Sequence, residues 1–274
     1  MELNVRGETL RVLESGPQTD GGKPTLVFIH GAGGDGTLWD EQEKDLGTRY
    51  TVLRLELPAH GGSSGKGEEQ ISAYVRWVEA VLKERVDPGS YILIGHSMGG
   101  AIAMEFAAGQ PAGLVGLVLV GTGAKLGVSP IIFRLLREDP EGFIQTIDRA
   151  ALGPSAGSKV RKAVEASIRR CSPDVILGDF LACDRFDMRD RMGRIRVPVL
   201  IVCGEEDRLT PPTYSGYLHR EIEDSRMVEI PEAGHMVMLE APEKVNREME
   251  AFVKRVTSRI PGAKNEFPVH PRGI

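Results

Sequence analysis

Short apolar runs separated by longer segments with helical periodicity set the rhythm of this chain. Leu3 to Val5 and Thr9 to Leu13 flank Gly7-Glu8, a pattern that predicts an antiparallel hairpin. Six further runs follow: Thr25 to Ile29, Thr51 to Leu55, Tyr91 to Ile94, Leu114 to Val120, Val197 to Val202 and Arg226 to Ile230. Between them, Glu68 to Arg85, Met98 to Gly109, Pro212 to His219 and Pro242 to Val256 place apolar residues at the spacing of one helix face. Alternation of this kind predicts an α/β architecture, a mostly parallel central sheet flanked by helices.

One connection breaks the rhythm. More than seventy residues lie between the run ending at Val120 and the run beginning at Val197, whereas a crossover helix needs far fewer. Helical patterns recur inside it, at Pro130 to Arg137, Gly142 to Ala151, Ser158 to Arg170 and Pro173 to Ala182. Residues 123–196 are therefore expected to form a helical cap inserted into a core made of 1–122 and 197–260. The tail, 261–274, is rich in Gly and Pro and reads as extended or disordered.

Composition narrows the function classes. The chain has 274 residues, 41% of them hydrophobic and 27% charged, enough for one large α/β domain with a substantial core. A net charge of -5 without a concentrated basic stripe argues against a nucleic-acid partner. Lys159 to Arg170, the most basic stretch, has the spacing of a solvated helix face. No apolar run is long enough to span a membrane, and the polar start Met1-Glu2-Leu3-Asn4-Val5-Arg6 lacks a secretory pattern, so a cytoplasmic protein is expected. Cys171, Cys183 and Cys203 are odd in number and lack metal-ligand spacing; they read as reduced, partly buried thiols.

Chemistry enters with Gly95-His96-Ser97-Met98-Gly99, which directly follows an apolar run and precedes the small-residue helix Gly100 to Ala108. A strand, a sharp turn and a helix in that order lift a serine hydroxyl clear of a sheet, the arrangement of a nucleophile elbow. A serine hydroxyl is a poor nucleophile at neutral pH and needs a base, which needs an orienting acid. His235, in Pro231-Glu232-Ala233-Gly234-His235 after the last strand, is the candidate base. Asp207, in the loop after the preceding strand, is the candidate acid, with Glu205 and Glu206 its competitors in sequence.

The other histidines fit the role less well. His30 and His60 precede the serine, His219 falls on a helix and His270 in the tail, while His96 diverges from Ser97 at the turn and is expected to pack or hydrogen-bond nearby. Negative charge developing on a carbonyl oxygen also needs backbone donors. Met98 N–H is one candidate, and Ala32 N–H, in the glycine-rich loop His30 to Gly36, is the other. That loop departs from G-x-G-x-x-G, and no P-loop lysine follows it.

Taken together, His30-Gly31, Leu57-Pro58-Ala59-His60-Gly61, Gly95 to Gly100, Gly204 to Pro211 and Ala233-Gly234-His235 resemble the α/β-hydrolase superfamily, specifically its capped, carboxylesterase-like members. The resemblance departs at Glu56 and Ala59, where the family carries Asp and Gly; this bears on the local turn and leaves Ser97, Asp207 and His235 in place. It implies a serine hydrolase that cleaves a carboxylic ester or lactone through an acyl-enzyme, with no metal or organic cofactor. The expected partner is a small-molecule substrate with an apolar moiety. Apolar cap residues such as Ile131, Ile132, Phe133, Leu135, Leu136, Phe143, Ile144, Ile147, Phe180 and Leu181 are divided between cap core and pocket wall. Two alternatives stand beside this reading. One is a carbon-carbon bond hydrolase of ring-cleavage products, weakened because Trp39 and Trp77 both lie outside the cap. The other is a ligand receptor with a retained triad.

Overall fold

A computed structural model describes residues 1–17, 22–86 and 89–260, so the expected tail lies outside the described residues. The strands are β1 (Glu2–Val5), β2 (Glu8–Ser15), β3 (Thr25–Ile29), β4 (Val52–Leu55), β5 (Tyr91–His96), β6 (Leu114–Val120), β7 (Val199–Gly204) and β8 (Ser225–Ile230). They form one eight-stranded sheet in the order β1-β2-β4-β3-β5-β6-β7-β8. Only the β1–β2 and β2–β4 pairings are antiparallel. Arg6 and Gly7 both take positive φ, 55° and 86°, as a tight turn between twisted strands requires.

The helices are α1 (Asp40–Leu46), α2 (Ile71–Arg85), α3 (Met98–Ala107), α4 (Pro130–Glu138), α5 (Pro140–Ala151), α6 (Ser158–Arg170), α7 (Pro173–Arg185), α8 (Pro212–Glu221), α9 (Val237–Glu240) and α10 (Pro242–Thr257). Central strands are buried on both faces, which is why they read as continuous apolar runs. Val27 and Ile29 feed the core beneath α2 and α3, while Leu26 and Phe28 feed the opposite core with α9 and α10.

Boundaries shift where a side chain has other work. Glu68 lies before α2 rather than in it, because its N–H donates to Tyr74 Oη at 2.9 Å and its carboxylate accepts from Trp77 Nε1 at 2.8 Å. The strand expected from Val197 begins at Val199, since Pro198 has no N–H for the ladder. Helix α1 carries no apolar stripe and goes unseen in the pattern. It buries Leu46 and Gln42, whose amide donates to Met238 O and Asn246 Oδ1 at 3.0 and 2.9 Å.

The long connection holds α4 to α7 and a 3-10 turn at Arg189–Arg194. Its basic face is paired rather than simply solvated: Lys159 meets Glu41, Arg161 meets Asp148, Arg169 meets Glu141 and Glu165, and Arg170 crosses to Asp35. All three cysteines are free and buried, more so than their sequence context suggests. Among the described residues, no helix is long and apolar enough to cross a membrane.

Candidate active site

Ser97 stands between the end of β5 and the start of α3, with φ 52° and ψ -115°. That is a strained conformation for a residue with a side chain. The flanking glycines are there for space: a Cβ on Gly95 would lie 2.2 Å from Gly99 O, and one on Gly99 would lie 2.3 Å from Ile29 O. Thr122 Oγ1 donates to Ser97 O at 2.8 Å and holds the turn from the β6 side.

The loop after β3 comes alongside. A Cβ on Gly31 would be 3.2 Å from Ser97 Cβ, so this backbone rides directly over the serine. Met98 begins α3, so its N–H has no intrahelical acceptor. Among the described residues neither Met98 N–H nor Ala32 N–H donates to a protein acceptor.

Asp207 and His235 meet as a buried pair, Nδ1 to Oδ2 at 2.9 Å. Leu209 N–H and Thr210 N–H donate to the other carboxylate oxygen at 2.9 and 2.8 Å, and Thr210 Oγ1 donates to Oδ2 at 2.8 Å. Burial alone would push the Asp207 carboxyl up; the His235 charge and these hydrogen bonds overcome it and hold the carboxyl below its ordinary value. Glu205 is exposed and accepts from Glu232 N–H, while Asp207 is 3% exposed. With Nδ1 engaged, Nε2 is the His235 nitrogen left for a substrate.

Two residues of this site carry no signal in the sequence by themselves. Gly121 lies at the end of β6 at φ +52°, where a Cβ would sit 3.2 Å from His235 Nδ1 and 3.4 Å from Asp207 Oδ2. Thr210 contacts both members of the pair, its Oγ1 3.1 Å from His235 Nδ1. Gly121 directly follows the apolar run of β6, and Thr210 lies within the Gly204 to Pro211 stretch.

The rival histidines have other partners. His96 donates from Nε2 to His235 O at 3.0 Å, and burial with the nearby His235 charge lowers it to about 3. His30 donates from Nδ1 to Gly31 O at 2.8 Å and accepts from Leu57 N–H at 3.2 Å; burial and the His60 charge lower it to about 4. The turn after β4 accommodates its departures: Ala59 adopts φ 65°, and Glu56 Oε2 accepts from Gly62 N–H at 2.6 Å.

Ser97, His235 and the Gly31 to Gly34 backbone open onto one cavity of about 80 Å³. Of the apolar residues expected there, Phe143, Ile147 and Phe180 reach it; the others do not line it. Ala151, Val164, Ile168, Ile176, Leu209 and Met236 complete most of an apolar wall. Ser167 also lines it, 1% exposed and with its hydroxyl unpaired.

Comparison with known proteins identifies the family. The family model described as "Alpha/beta hydrolase family" matches residues 26–248. The chain is 29% identical to the dihydrolipoyllysine-residue acetyltransferase component of the acetoin cleaving system of Pseudomonas putida, over 93% of this chain and 69% of that protein. It is 25% identical to the pimeloyl-[acyl-carrier protein] methyl ester esterase of Nitrosomonas europaea, over 83% of this chain and 94% of that one. A solved structure described as a thermophilic esterase superposes with a TM-score of 0.82 at 32% identity, covering 93% of this chain and 97% of that chain. The chain belongs to the alpha/beta hydrolase family and is a hydrolase.

Proposed function

We propose that this protein is a serine hydrolase that cleaves small carboxylic esters or lactones. The observation that carries the reading is the convergence on one apolar cavity of Ser97 on its strained turn, His235 from its buried pair with Asp207, and Ala32 with its unengaged N–H; the Met98 N–H, also unengaged, follows directly after the serine. Ser97 Oγ attacks the acyl carbon and gives its proton to His235 Nε2, which Asp207 orients through Nδ1. Charge on the carbonyl oxygen is met by the Ala32 and Met98 N–H groups, each worth about 3 kcal/mol of barrier in sites of this type. The carbon-oxygen bond breaks, the leaving alkoxide takes the proton from His235, and water activated by the same ring hydrolyses the acyl-enzyme.

Cavity size bears on the substrate. A space of about 80 Å³ is about half the roughly 150 Å³ that admits a benzene ring. An acyl group of a few carbons fits, with residues 123–196 acting as the cap that closes over it. Among the described residues the wall carries no Arg or Trp, the residues whose presence in or near the cap would favour the carbon-carbon hydrolase.

The test is hydrolysis of p-nitrophenyl acetate, butyrate and octanoate by wild type and Ser97→Ala. Turnover that favours the short esters and disappears in the variant supports the proposal. A fluorophosphonate adduct mapped by mass spectrometry anywhere other than Ser97 overturns the nucleophile assignment. Absence of turnover combined with tight binding of a small ligand would instead mark a receptor.

A further inference from the structure

The cap carries a buried carboxylate that the triad does not use. Asp179, on α7, has zero exposure, yet all of its partners lie outside the cap. Oδ2 accepts from Gly33 N–H at 2.8 Å and from His60 Nε2 at 2.8 Å, while Oδ1 accepts from Tyr74 Oη. Tyr74 Oη in turn accepts from Glu68 N–H, which fixes the direction of its own proton. His60 Nδ1 faces Pro58 O at 2.9 Å. Both ring nitrogens therefore face acceptors, and His60 is an imidazolium paired with a carboxylate.

Gly33 is the centre of this arrangement. One turn before Asp179 on the same helix face, Ile176 presses on it: a Cβ on Gly33 would be 3.1 Å from Ile176 Cγ1. A second cap helix grips the loop farther along, where Arg170 donates to Asp35 Oδ2 at 2.7 Å and to Thr37 Oγ1 at 2.8 Å. Between these grips, the loop's own backbone supplies a bond from Gly34 N–H to Gly31 O. A buried ion pair adds little net stability over an apolar filling of the same space, but it fixes geometry.

Building on the serine hydrolase reading, we propose that Asp179, seconded by Arg170, is a positioning residue for the oxyanion loop. It holds Gly33 N–H and thereby aims the adjacent Ala32 N–H, so that the hole is complete only when the cap is seated. Loss of this grip is expected to weaken binding of the tetrahedral state more than binding of substrate, because a donor displaced by even part of an ångström no longer meets the developing charge.

The test compares Asp179→Asn, Arg170→Gln and Leu136→Ala. Leu136 is buried in α4, does not line the cavity and makes none of the hydrogen bonds to the loop, so its truncation weakens the cap without removing the grip. Readouts are kcat and KM for p-nitrophenyl acetate, affinity for butylboronic acid, which forms a tetrahedral adduct on the serine, and the urea midpoint. Asp179→Asn is expected to lose at least tenfold in kcat and in boronate affinity, with KM within twofold; Arg170→Gln should lose severalfold in both. Leu136→Ala should lower the urea midpoint and leave boronate affinity unchanged. Should Asp179→Asn fail to fold, half-exposed Arg170 still decides the matter.

A folded Asp179→Asn with wild-type kcat and boronate affinity overturns the proposal, as does an Arg170→Gln variant indistinguishable from wild type when Asp179→Asn does not fold. Equal losses in Leu136→Ala would reduce Asp179 to a structural role. A wild type that neither turns over esters nor labels at Ser97 defeats the hydrolase reading itself, and this proposal with it.

Discussion

Acidification from about pH 6.5 downward is expected to destabilise this protein steeply, because two imidazoles are buried neutral. His30 has zero exposure and His96 is 3% exposed; burial brings the first to about 4 and the second to about 3, from an ordinary value of 6.5. Below about pH 6.5 the unfolded chain takes up a proton at each position and the folded protein does not. Stability therefore falls by about 1.4 kcal/mol per pH unit for each ring, about 2.7 for both. Between about pH 6.5 and 4.5 the loss is about 5 kcal/mol, comparable with the whole stability of many domains. His60 acts in the opposite direction. Burial alone would lower it, but the Asp179 charge and hydrogen bond raise it well above 6.5. Its contribution is complete below about pH 6.5 and declines above that value, by about 1.4 kcal/mol per unit. Stability should thus peak near pH 6.5 and fall about twice as steeply on the acid side. Urea unfolding at half-unit intervals from pH 5 to 8, with NMR titration of the imidazole C2 protons, measures this directly. A flat profile between pH 6 and 5, or His30 and His96 titrating near 6.5, would refute the reasoning.

Substitutions at five positions test other links. Asp207→Asn should lower kcat on the order of 10⁴-fold with the fold retained, since the amide favours the wrong imidazole tautomer; Glu206→Gln should leave kcat within twofold, and a reversal of the two effects would reassign the acid. Ser97→Gly should unfold at higher urea than Ser97→Ala by about 1 kcal/mol, reversing the usual order, because the position has φ 52° and ψ -115°. Ala59→Gly, at φ 65°, should raise stability by about 0.5 kcal/mol without changing turnover. Ser167→Ala removes a buried hydroxyl that lacks a partner and should raise stability by about 1 kcal/mol; the more apolar wall should lower KM for short unsubstituted acyl esters.

Much of the frame was legible because its signals are local. The central strands bury both faces and read as apolar runs, and the turn at Ser97 announces itself through glycines that backbone contact demands. Asp207 and His235 follow from position after strands, before any distance is known. What stayed hidden depends on contacts between distant segments. Helix α1 is polar on most of its surface and is held by Gln42 reaching α9 and α10, a contact periodicity does not register. Helix α6 reads as a basic solvated face, and that face conceals Val164, Ser167 and Ile168 turned toward the cavity. Asp179 offered one clue, an acid placed in the apolar stretch Ile176 to Leu181. Its partners at positions 33, 60 and 74 come together only in the folded chain.

Those distant contacts divide responsibility for the site unevenly. Ser97 is held by the core rather than by the inserted segment, through the close packing of Gly95 and Gly99, the Thr122 hydroxyl and the first N–H groups of α3. The His235 loop also depends on the inserted segment: His235 N–H and Met236 N–H donate to Ala151 O at 2.8 and 3.3 Å. Glu240 accepts from both Gly153 N–H and Gly234 N–H, at 2.8 and 3.1 Å. On the other side of the cavity, α6 and α7 hold the loop that carries Ala32. Displacement of residues 123–196 would therefore leave Ser97 in place while loosening both His235 and Ala32. Changes in this segment should alter kcat as well as substrate preference, even where the substituted residue never touches the substrate.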